Sequence, residues 1–190
     1  MSIDFFYQRY KYINSMNLKE YIRSIPDYPK KGILFRDITT LIKDENAFEE
    51  SINQIIERSK SYKIDKIAAI ESRGFVFASA VSYLLKKPFI MLRKKNKLPA
   101  ETHSIDFELE YGTATIEVHK DSIDKNDSVL IIDDLIATGG TAEAAAKLVE
   151  ISGGTVAAFV FAINLFDLGG SANLTKKGYK IENLMNFPGH

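Results

Sequence analysis

The residues with the clearest capacity for chemistry follow one another in a single stretch, residues 129–141. It opens with four apolar, mostly β-branched residues, which are typical of a strand buried on both faces. Two carboxylates, Asp133 and Asp134, come next, and in an open α/β sheet ligands bind at the carboxyl ends of the strands. A short loop, residues 137–141, then opens a helix predicted over residues 142–151. The stretch therefore predicts two acids and a loop side by side at one edge of a sheet.

The loop, called the phosphate loop below, has the composition of an anion cradle. Its residues are small or carry a hydroxyl: Ala137, Thr138, Gly139, Gly140 and Thr141. Backbone N–H groups at the start of a helix, with threonine hydroxyls beside them, can hold a phosphate without obstruction. Ionised carboxylates accept hydrogen bonds and donate none, so the acids suit sugar hydroxyls and would repel a phosphate. Together the two parts fit a ribose 5-phosphate.

Two common nucleotide motifs are excluded. No Gly-Lys-Ser/Thr closes the loop as in a Walker A motif, and no G-x-G-x-x-G is present. The structural alternative is a buried strand followed by a glycine-rich turn with two surface acids. The direct succession of the acid pair and the phosphate loop favours a binding site. Ionised acids at a strand end are also expected to lie outside the core.

This stretch resembles the phosphoribosyl pyrophosphate (PRPP) motif of the type I phosphoribosyltransferases. The resemblance covers residues 18–190 and is closest to the bacterial form of the branch that uses adenine. It implies transfer of the 5-phosphoribosyl group of PRPP to adenine, giving AMP and diphosphate in purine salvage. Asp133 and Asp134 would act as catalytic residues that hold the ribose, and the phosphate loop would bind PRPP and AMP. Mg²⁺ would be required and held by the substrate, with no direct protein ligand.

A second junction between a strand and a helix carries an arginine. Residues 71–74, called the arginine loop below, read Glu-Ser-Arg-Gly and separate a predicted strand (66–70) from a predicted helix (75–85). Arg73 can grip phosphate oxygens with two nitrogens. The loop resembles the family's pyrophosphate loop; taken alone, it would be read as a helix start with an ion-paired arginine.

A basic run, residues 93–97, follows the next predicted strand (88–92). The resemblance implies that Arg93 and Lys97 bind the diphosphate, and that one cation reaches a neighbouring subunit's site in a homodimer. The family usually has glycine where Asn96 stands, but asparagine tolerates the left-handed conformation, so the turn should be retained. The alternative is a solvated loop.

A purine needs a flat apolar contact, which Leu34 and Phe35 can supply. With Arg36 they resemble the family's base-binding segment. The alternative is a short core strand with a surface pair of Arg36 and Asp37.

The flap, residues 94–118, contains a predicted hairpin (105–119) and is expected to cover the site. Residues 109–112 read Leu-Glu-Tyr-Gly and resemble the family's flap signature. Chemistry through an oxocarbenium-like sugar has to exclude water. Closure would bring Glu110, predicted to be catalytic, near the base to manage its proton, with Tyr111 covering the ribose. Polar residues 100–104 are expected to be mobile. The alternative is an ordinary exposed hairpin.

Strands alternate with helices along the chain, which predicts an α/β fold: a mostly parallel sheet flanked by helices, with a small hood and a β-hairpin flap. The N-terminal segment and the C-terminal tail would form the hood. A helix capped by Asn17 is predicted over residues 18–25. Residues 17–190 are expected to be one domain, and residues 1–16 an N-terminal extension. Asn164 stands where the family has an acid, which leaves its contacts open.

Composition narrows the class of protein. The 190 residues carry 25 basic and 25 acidic side chains and no cysteine, which gives no support for a nucleic-acid partner or for disulfides. The longest apolar run, residues 156–163, is too short to span a bilayer as a helix. A cytoplasmic enzyme without membrane attachment is the expectation.

Two rival functions are open. A sibling transferase for hypoxanthine, guanine or xanthine would need a donor such as lysine for the carbonyl at carbon 6, and none is visible in residues 160–166. A non-catalytic regulator that responds to PRPP or a purine would need a DNA-binding region, and residues 1–16 are too short for one.

Overall fold

The computed structural model describes residues 16–109 and 112–189. It contains two compact units divided between Ser51 and Ile52. The first unit holds a 3₁₀ helix and two antiparallel strands followed by a short helix: Leu18–Tyr21, β1 (Arg23–Pro26), β2 (Leu34–Asp37) and α1 (Thr39–Lys43). Helix α2 (Glu45–Ser59) crosses the division.

The helix predicted over residues 18–25 is wrong beyond its first turn. Asn17 does cap it, accepting a hydrogen bond from the Lys19 N–H at 3.3 Å. The chain then becomes extended and pairs as β1 with β2. The pairing with β2 accounts for the change, and Pro26 adds to it by disfavouring the helical conformation of Ile25.

The second unit is built on a seven-stranded sheet in the order β5-β6-β4-β3-β7-β8-β9. Its strands are β3 (Lys66–Ile70), β4 (Phe89–Lys94), β5 (Thr102–Leu109), β6 (Gly112–His119), β7 (Ser128–Ile136), β8 (Thr155–Leu165) and β9 (Ile181–Phe187). Strands β4, β3, β7, β8 and β9 run parallel, and the β5–β6 hairpin joins β4 antiparallel. The mostly parallel α/β fold is confirmed.

Helices follow three of the strands in the second unit: α3 (Gly74–Leu85), α4 (Gly140–Ile151) and α5 (Gly170–Lys176). A 3₁₀ turn, Phe166–Leu168, precedes α5. No helix in the described part of the chain is long and apolar enough to cross a membrane.

The core lies around β3, β7 and β8. On β7 four consecutive side chains are fully buried: Val129, Leu130, Ile131 and Ile132. A strand with helices on both faces has to be apolar at every position, which is why the sequence does not alternate here. Ala69 of β3 pairs with Ile132 of β7, so the carboxyl ends of these two central strands lie together.

Three details differ from the predictions. Strand β7 continues through both acids to Ile136 because it keeps its pairing with β8. The C-terminal segment, expected in a hood, supplies edge strand β9 of the main sheet and pairs with β8. Residues 102–104, expected to be mobile, belong to β5 and pair with β6.

Candidate active site

A cleft of about 420 Å³ opens at the carboxyl ends of β3 and β7. It brings together the acid pair, the phosphate loop and the arginine loop. Its lining residues are Ile70, Glu71, Ser72, Arg73, Lys94, Asp133, Asp134, Leu135, Ile136, Ala137, Thr138, Gly139, Gly140 and Thr141. Groups suited to sugar hydroxyls and groups suited to anions therefore share one cavity.

The arginine loop lies tight against the acid pair. A Cβ atom on Gly74 would come within 2.8 Å of both Asp133 Oδ1 and the Ile132 carbonyl oxygen. Only glycine can begin α3 at this distance from β7, so Gly74 fixes how closely the arginine loop approaches the acids.

The two acids are more enclosed than the sequence suggested. Asp134 is only 3% exposed, so the expectation that both acids lie outside the core is wrong for this residue. Burial raises the pKa of Asp134, while the nearby Arg73 guanidinium opposes the rise; Asp134 Oδ2 lies 3.0 Å from Arg73 Nε. Enclosure arises because β7 does not end before the acids.

Asp133 is half-buried and accepts a 2.9 Å hydrogen bond from the Asp134 N–H. Burial raises the pKa of Asp133 well above its ordinary value, and the neighbouring Asp134 charge raises it further. Two adjacent carboxyl groups that are shielded from water are costly in free energy to ionise. Hydroxyl donors or a cation placed against them would relieve that cost.

The phosphate loop is shaped by its backbone. Gly139 has a φ of +90° and stands at the N-cap of α4, where it has no side chain to cap the helix. A phosphate can take the place of that cap on the first N–H groups. The loop also contacts a residue that the sequence did not single out: the Gly170 N–H donates to the Ala137 carbonyl at 3.0 Å.

The basic run is organised by Glu71. The Glu71 carboxylate accepts hydrogen bonds from Arg93 Nη2 at 3.2 Å and Nε at 3.3 Å, and from the Lys94 N–H at 2.8 Å. Burial alone would raise the pKa of Glu71, but these donors hold it below its ordinary value. Arg93 also donates to the Lys97 carbonyl oxygen at 3.3 Å. Of the basic run, Lys94 lines the cleft together with Arg73 of the arginine loop, and Arg93 and Lys97 lie outside the lining.

Asn96 adopts the left-handed conformation, with a φ of +65°, as the sequence predicted. Its N–H donates to Glu117 Oε2 at 3.0 Å, and Glu117 is buried. The turn is therefore retained without glycine.

The base-binding residues belong to the first unit. Leu34 and Phe35 are half-buried, and the Phe35 ring meets the Tyr28 ring edge-on with centroids 5.1 Å apart. Arg36 is buried and donates to the Ser24 hydroxyl. Asp37 is buried as well, and a hydrogen bond from Arg23 lowers its pKa to about 2. The alternative of a surface Arg36–Asp37 pair is thus wrong, and the role of the segment in binding a base stays a prediction.

Glu110 and Tyr111 lie outside the described residues, so their roles stay predictions. The strands on either side pair from Thr102–His119 to Leu109–Gly112. Ile116 and Val118 are buried, and Phe107 packs against the core. The strands at the base of the flap are thus anchored to the core.

Asn164 is buried near the carboxyl end of β8. Its Nδ2 donates to Asn186 Oδ1 and its Oδ1 accepts from the Ser171 hydroxyl, both at 2.9 Å. These bonds join β8 to β9 and α5. Sequence reasoning missed them because the three residues show no common motif.

Comparison with known proteins agrees with this geometry. The phosphoribosyl transferase domain family matches residues 39–180. Adenine phosphoribosyltransferase of Pelagibacter ubique (strain HTCC1062) is 90% identical over 175 residues, covering 92% of this chain and 100% of the relative. The enzyme of that name from Nitrosomonas europaea (strain ATCC 19718) is 52% identical over 172 residues, covering 90% and 99%.

Two solved structures are similar over nearly the whole chain. Adenine phosphoribosyltransferase from Thermoanaerobacter pseudethanolicus has a TM-score of 0.88 at 47% identity, covering 92% of this chain and 100% of that one. The Giardia lamblia enzyme complexed with 9-deazaadenine has a TM-score of 0.86 at 31% identity, covering 92% and 98%.

Proposed function

The chain belongs to the phosphoribosyltransferases, in the adenine phosphoribosyltransferase branch, and on that premise we propose how its cleft works. The enzyme transfers the 5-phosphoribosyl group of PRPP to adenine, giving AMP and diphosphate, a step of purine salvage. One observation carries the proposal: the acid pair, the phosphate loop and Arg73 line a single cleft. Each part suits one portion of PRPP.

Asp133 and Asp134 bind the ribose hydroxyls. Their carboxylates accept hydrogen bonds and lie near the sugar as its anomeric carbon becomes positively charged. Negative groups fixed in place before the reaction stabilise such a transition state without reorganising. The phosphate loop holds the 5-phosphate through its N–H groups and hydroxyls, so the sugar is fixed at both ends.

Arg73 and Lys94 bind the diphosphate. The Arg73 side chain is 44% exposed although its Nε contacts Asp134. A guanidinium has five donors, so it can take diphosphate oxygens and keep this contact. Arg93 and Lys97 support the site from the basic run, with Glu71 fixing Arg93 in place.

Mg²⁺ fits the chemistry of the donors here. It prefers oxygen ligands, which carboxylates and PRPP both supply. No group of three or more His, Cys, Asp or Glu side chains within residues 16–109 and 112–189 could hold a metal, so the substrate would provide most of the coordination. When bound, Mg²⁺ offsets the negative charge that develops on the departing diphosphate.

Leu34, Phe35 and Arg36 bind the adenine in this proposal, and closure of the flap brings Glu110 to the base and Tyr111 to the ribose. Glu110→Gln is expected to lower kcat much more than it raises the KM for PRPP, because Glu110 acts after PRPP has bound. An unchanged kcat would remove Glu110 from the mechanism.

Residues 17–190 act as one catalytic domain in the cytoplasm, with residues 1–16 as an extension. A variant lacking residues 1–15 is expected to keep its activity, since the phosphoribosyl transferase domain match, residues 39–180, lies after them. A folded but inactive truncated protein would contradict this.

A homodimer completes the proposal. Exposed apolar side chains lie on α3 and on neighbouring β4: Tyr83 is 83% exposed, Leu84 42% and Met91 43%. Apolar surface of this kind marks a protein contact when it is contiguous. Sedimentation velocity is expected to show two copies, and a monomer at micromolar concentration would contradict this part.

The deciding experiment is a steady-state assay with purified protein, PRPP and Mg²⁺, comparing adenine with hypoxanthine. A site built for one base edge leaves polar groups unpaired against the other, so kcat/KM should favour adenine by about 10⁴-fold. Comparable values for the two bases would place the chain among the sibling transferases. PRPP binding without AMP formation would favour the regulator.

A further inference from the structure

We propose that Gly170, Ser171 and Asn164 are positioning residues for the 5-phosphate. They touch neither the sugar nor the diphosphate, and they act by holding the phosphate loop in its binding shape. This inference deepens the proposed function, since it rests on the phosphate loop being the 5-phosphate site.

Gly170 is in direct backbone contact with the phosphate loop. Its N–H donates to the Ala137 carbonyl at 3.0 Å. A Cβ atom added to Gly170 would lie 2.3 Å from that carbonyl oxygen and 2.7 Å from the Gly139 nitrogen. These are backbone atoms, so no side chain could swing aside to make room. The first residue of α5 therefore sets the position of the loop that precedes α4.

The contact is also tight from the other side, although less so. A Cβ atom on Gly139 would lie 3.1 Å from the Gly170 Cα. Two glycines thus pack backbone to backbone, and Gly139 also needs glycine for its φ of +90°. The shape of the phosphate loop depends on where α5 begins.

A chain of side-chain hydrogen bonds fixes the start of α5. Ser171, the residue after Gly170, donates its hydroxyl to Asn164 Oδ1 at 2.9 Å, and Asn164 Nδ2 donates to Asn186 Oδ1 at 2.9 Å. Asn164 pairs in register with Ile136 on one side and with Asn186 on the other. Since Ile136 directly precedes Ala137, the sheet and α5 hold the phosphate loop together.

An amide suits this position better than an acid. Asn164 has both a donor and an acceptor, and it uses the donor on Asn186 and the acceptor on Ser171. An ionised acid has no donor, and its buried charge would oppose a phosphate dianion held a few residues away. The Asn164 amide thus links β9 and α5 without placing a buried charge beside the phosphate loop.

The shape of the phosphate loop and the charges around it matter because the loop has no cationic side chain of its own. Its residues are alanine, threonine and glycine, so affinity depends on how its N–H groups and hydroxyls are aimed. A displacement of about 1 Å can cost roughly 100-fold in such a site. Residues that aim the loop should affect phosphate binding and leave diphosphate binding alone.

The test measures two dissociation constants by calorimetry on the full chain, one for ribose 5-phosphate and one for diphosphate with Mg²⁺. Gly170→Ala is expected to weaken ribose 5-phosphate binding by roughly 100-fold and diphosphate binding by less than about twofold. Gly154→Ala is the control for a crowded glycine elsewhere. A Cβ there would lie 2.8 Å from Ile123 Cγ2 and 3.2 Å from the Asp127 carbonyl oxygen, a milder clash, and Gly154 precedes β8 at the opposite end of that strand from the cleft.

Ser171→Ala is the milder variant and decides the matter if Gly170→Ala does not fold. Loss of one hydrogen bond should weaken ribose 5-phosphate binding by about fivefold. Its control is Ser152→Ala, which removes a 2.7 Å hydroxyl bond to the Leu148 carbonyl at the far end of α4.

Opposite outcomes are clear. Unchanged ribose 5-phosphate binding in both Gly170→Ala and Ser171→Ala, or equal weakening of both ligands, would overturn the positioning role. Failure of the unaltered protein to bind ribose 5-phosphate would instead overturn the assignment of the phosphate loop, and with it the proposed function.

Discussion

The cleft is lined by two loops that we propose as anion sites, and they would work by different means. The arginine loop presents a charged side chain, Arg73, which is held by Asp134 in the resting protein. The phosphate loop presents backbone and hydroxyl groups only, and it is held by Gly170. The arginine loop would bind through a charged side chain. The phosphate loop would bind through the positions in which its N–H and hydroxyl groups are held.

The difference suits the two ends of the substrate. Diphosphate leaves the enzyme after the reaction. The partly exposed Arg73 side chain can keep its contact with the diphosphate as the ligand moves. The 5-phosphate stays on the sugar from substrate to product, so a rigid loop can bind it in the same way throughout the reaction. Changes in charge should therefore affect the first site, and changes in packing the second.

The largest effect is expected where the two sites meet, at the acid pair. Asp133→Ala and Asp134→Ala each remove a contact to the ribose as it becomes positively charged. Each should lower kcat/KM, and the loss should correspond to about 2–4 kcal/mol of transition-state stabilisation. Steady-state kinetics with saturating adenine would measure this.

Asp134→Ala also releases Arg73, so it alone should change diphosphate affinity as well. Near-normal kinetics in both variants would remove the acids from the mechanism.

Arg73→Ala should come next and act mainly on the diphosphate site. A charge-assisted hydrogen bond contributes about 1.5–3 kcal/mol, and exposure places this one at the lower end. Diphosphate binding should weaken by roughly tenfold and lose part of its salt dependence, while ribose 5-phosphate binding changes much less, through the contact of Arg73 with Asp134. Arg93→Ala is the comparison, and equal weakening of both ligands by Arg73→Ala would end the distinction between the two loops.

Thr141→Ala should have a smaller effect, confined to the other site. Removing one hydroxyl from the phosphate loop costs about 1 kcal/mol, which is about fivefold in ribose 5-phosphate affinity. Because no side-chain charge is involved, added salt should not change the ratio between variant and parent. Calorimetry at low and high salt checks both statements, and a ratio that falls with salt would point to a hidden cation.

The smallest effect concerns stability and pH. Burial raises the pKa of Asp133 and of Asp134, so the folded free protein binds their protons more tightly than the unfolded chain does. The free energy of unfolding should then fall as pH rises from about 4, the ordinary value of an aspartate, through the raised values.

Asp133→Asn removes one of these titrating groups. The free energy of unfolding should then fall less with pH, by about 1.4 kcal/mol for each unit by which folding raises the pKa of Asp133. Urea unfolding above pH 4.5 measures it, a range in which Asp37, with its pKa of about 2, does not titrate. A steeper fall in the variant would contradict the assignment.

Sequence patterns predicted the parts whose signals are local. The apolar run on β7, the small residues of the phosphate loop and the left-handed turn at Asn96 are each readable from a few neighbouring residues. The helix predicted over residues 18–25 failed because pairing of β1 with β2 overrode local preference.

The bracing of the phosphate loop could not be read in this way. Gly170 is more than 30 residues from Ala137 in the chain, and Asn164 meets Asn186 only because β8 and β9 are neighbours in the sheet. Burial of Asp134 was missed for a related reason, since strand β7 continues only where β8 continues beside it. Such features depend on the register of the sheet, which sequence patterns leave open.

The packing of Gly139 against Gly170 has a consequence for directed evolution. A library that varies these two glycines has little to select, because Gly170 has no room for a Cβ and Gly139 has little room and a φ of +90°. Variants with altered phosphate affinity should arise instead at Ser171, Asn164 and Asn186, which aim the loop from a distance. Improved mutants would then map to positions that never touch the substrate.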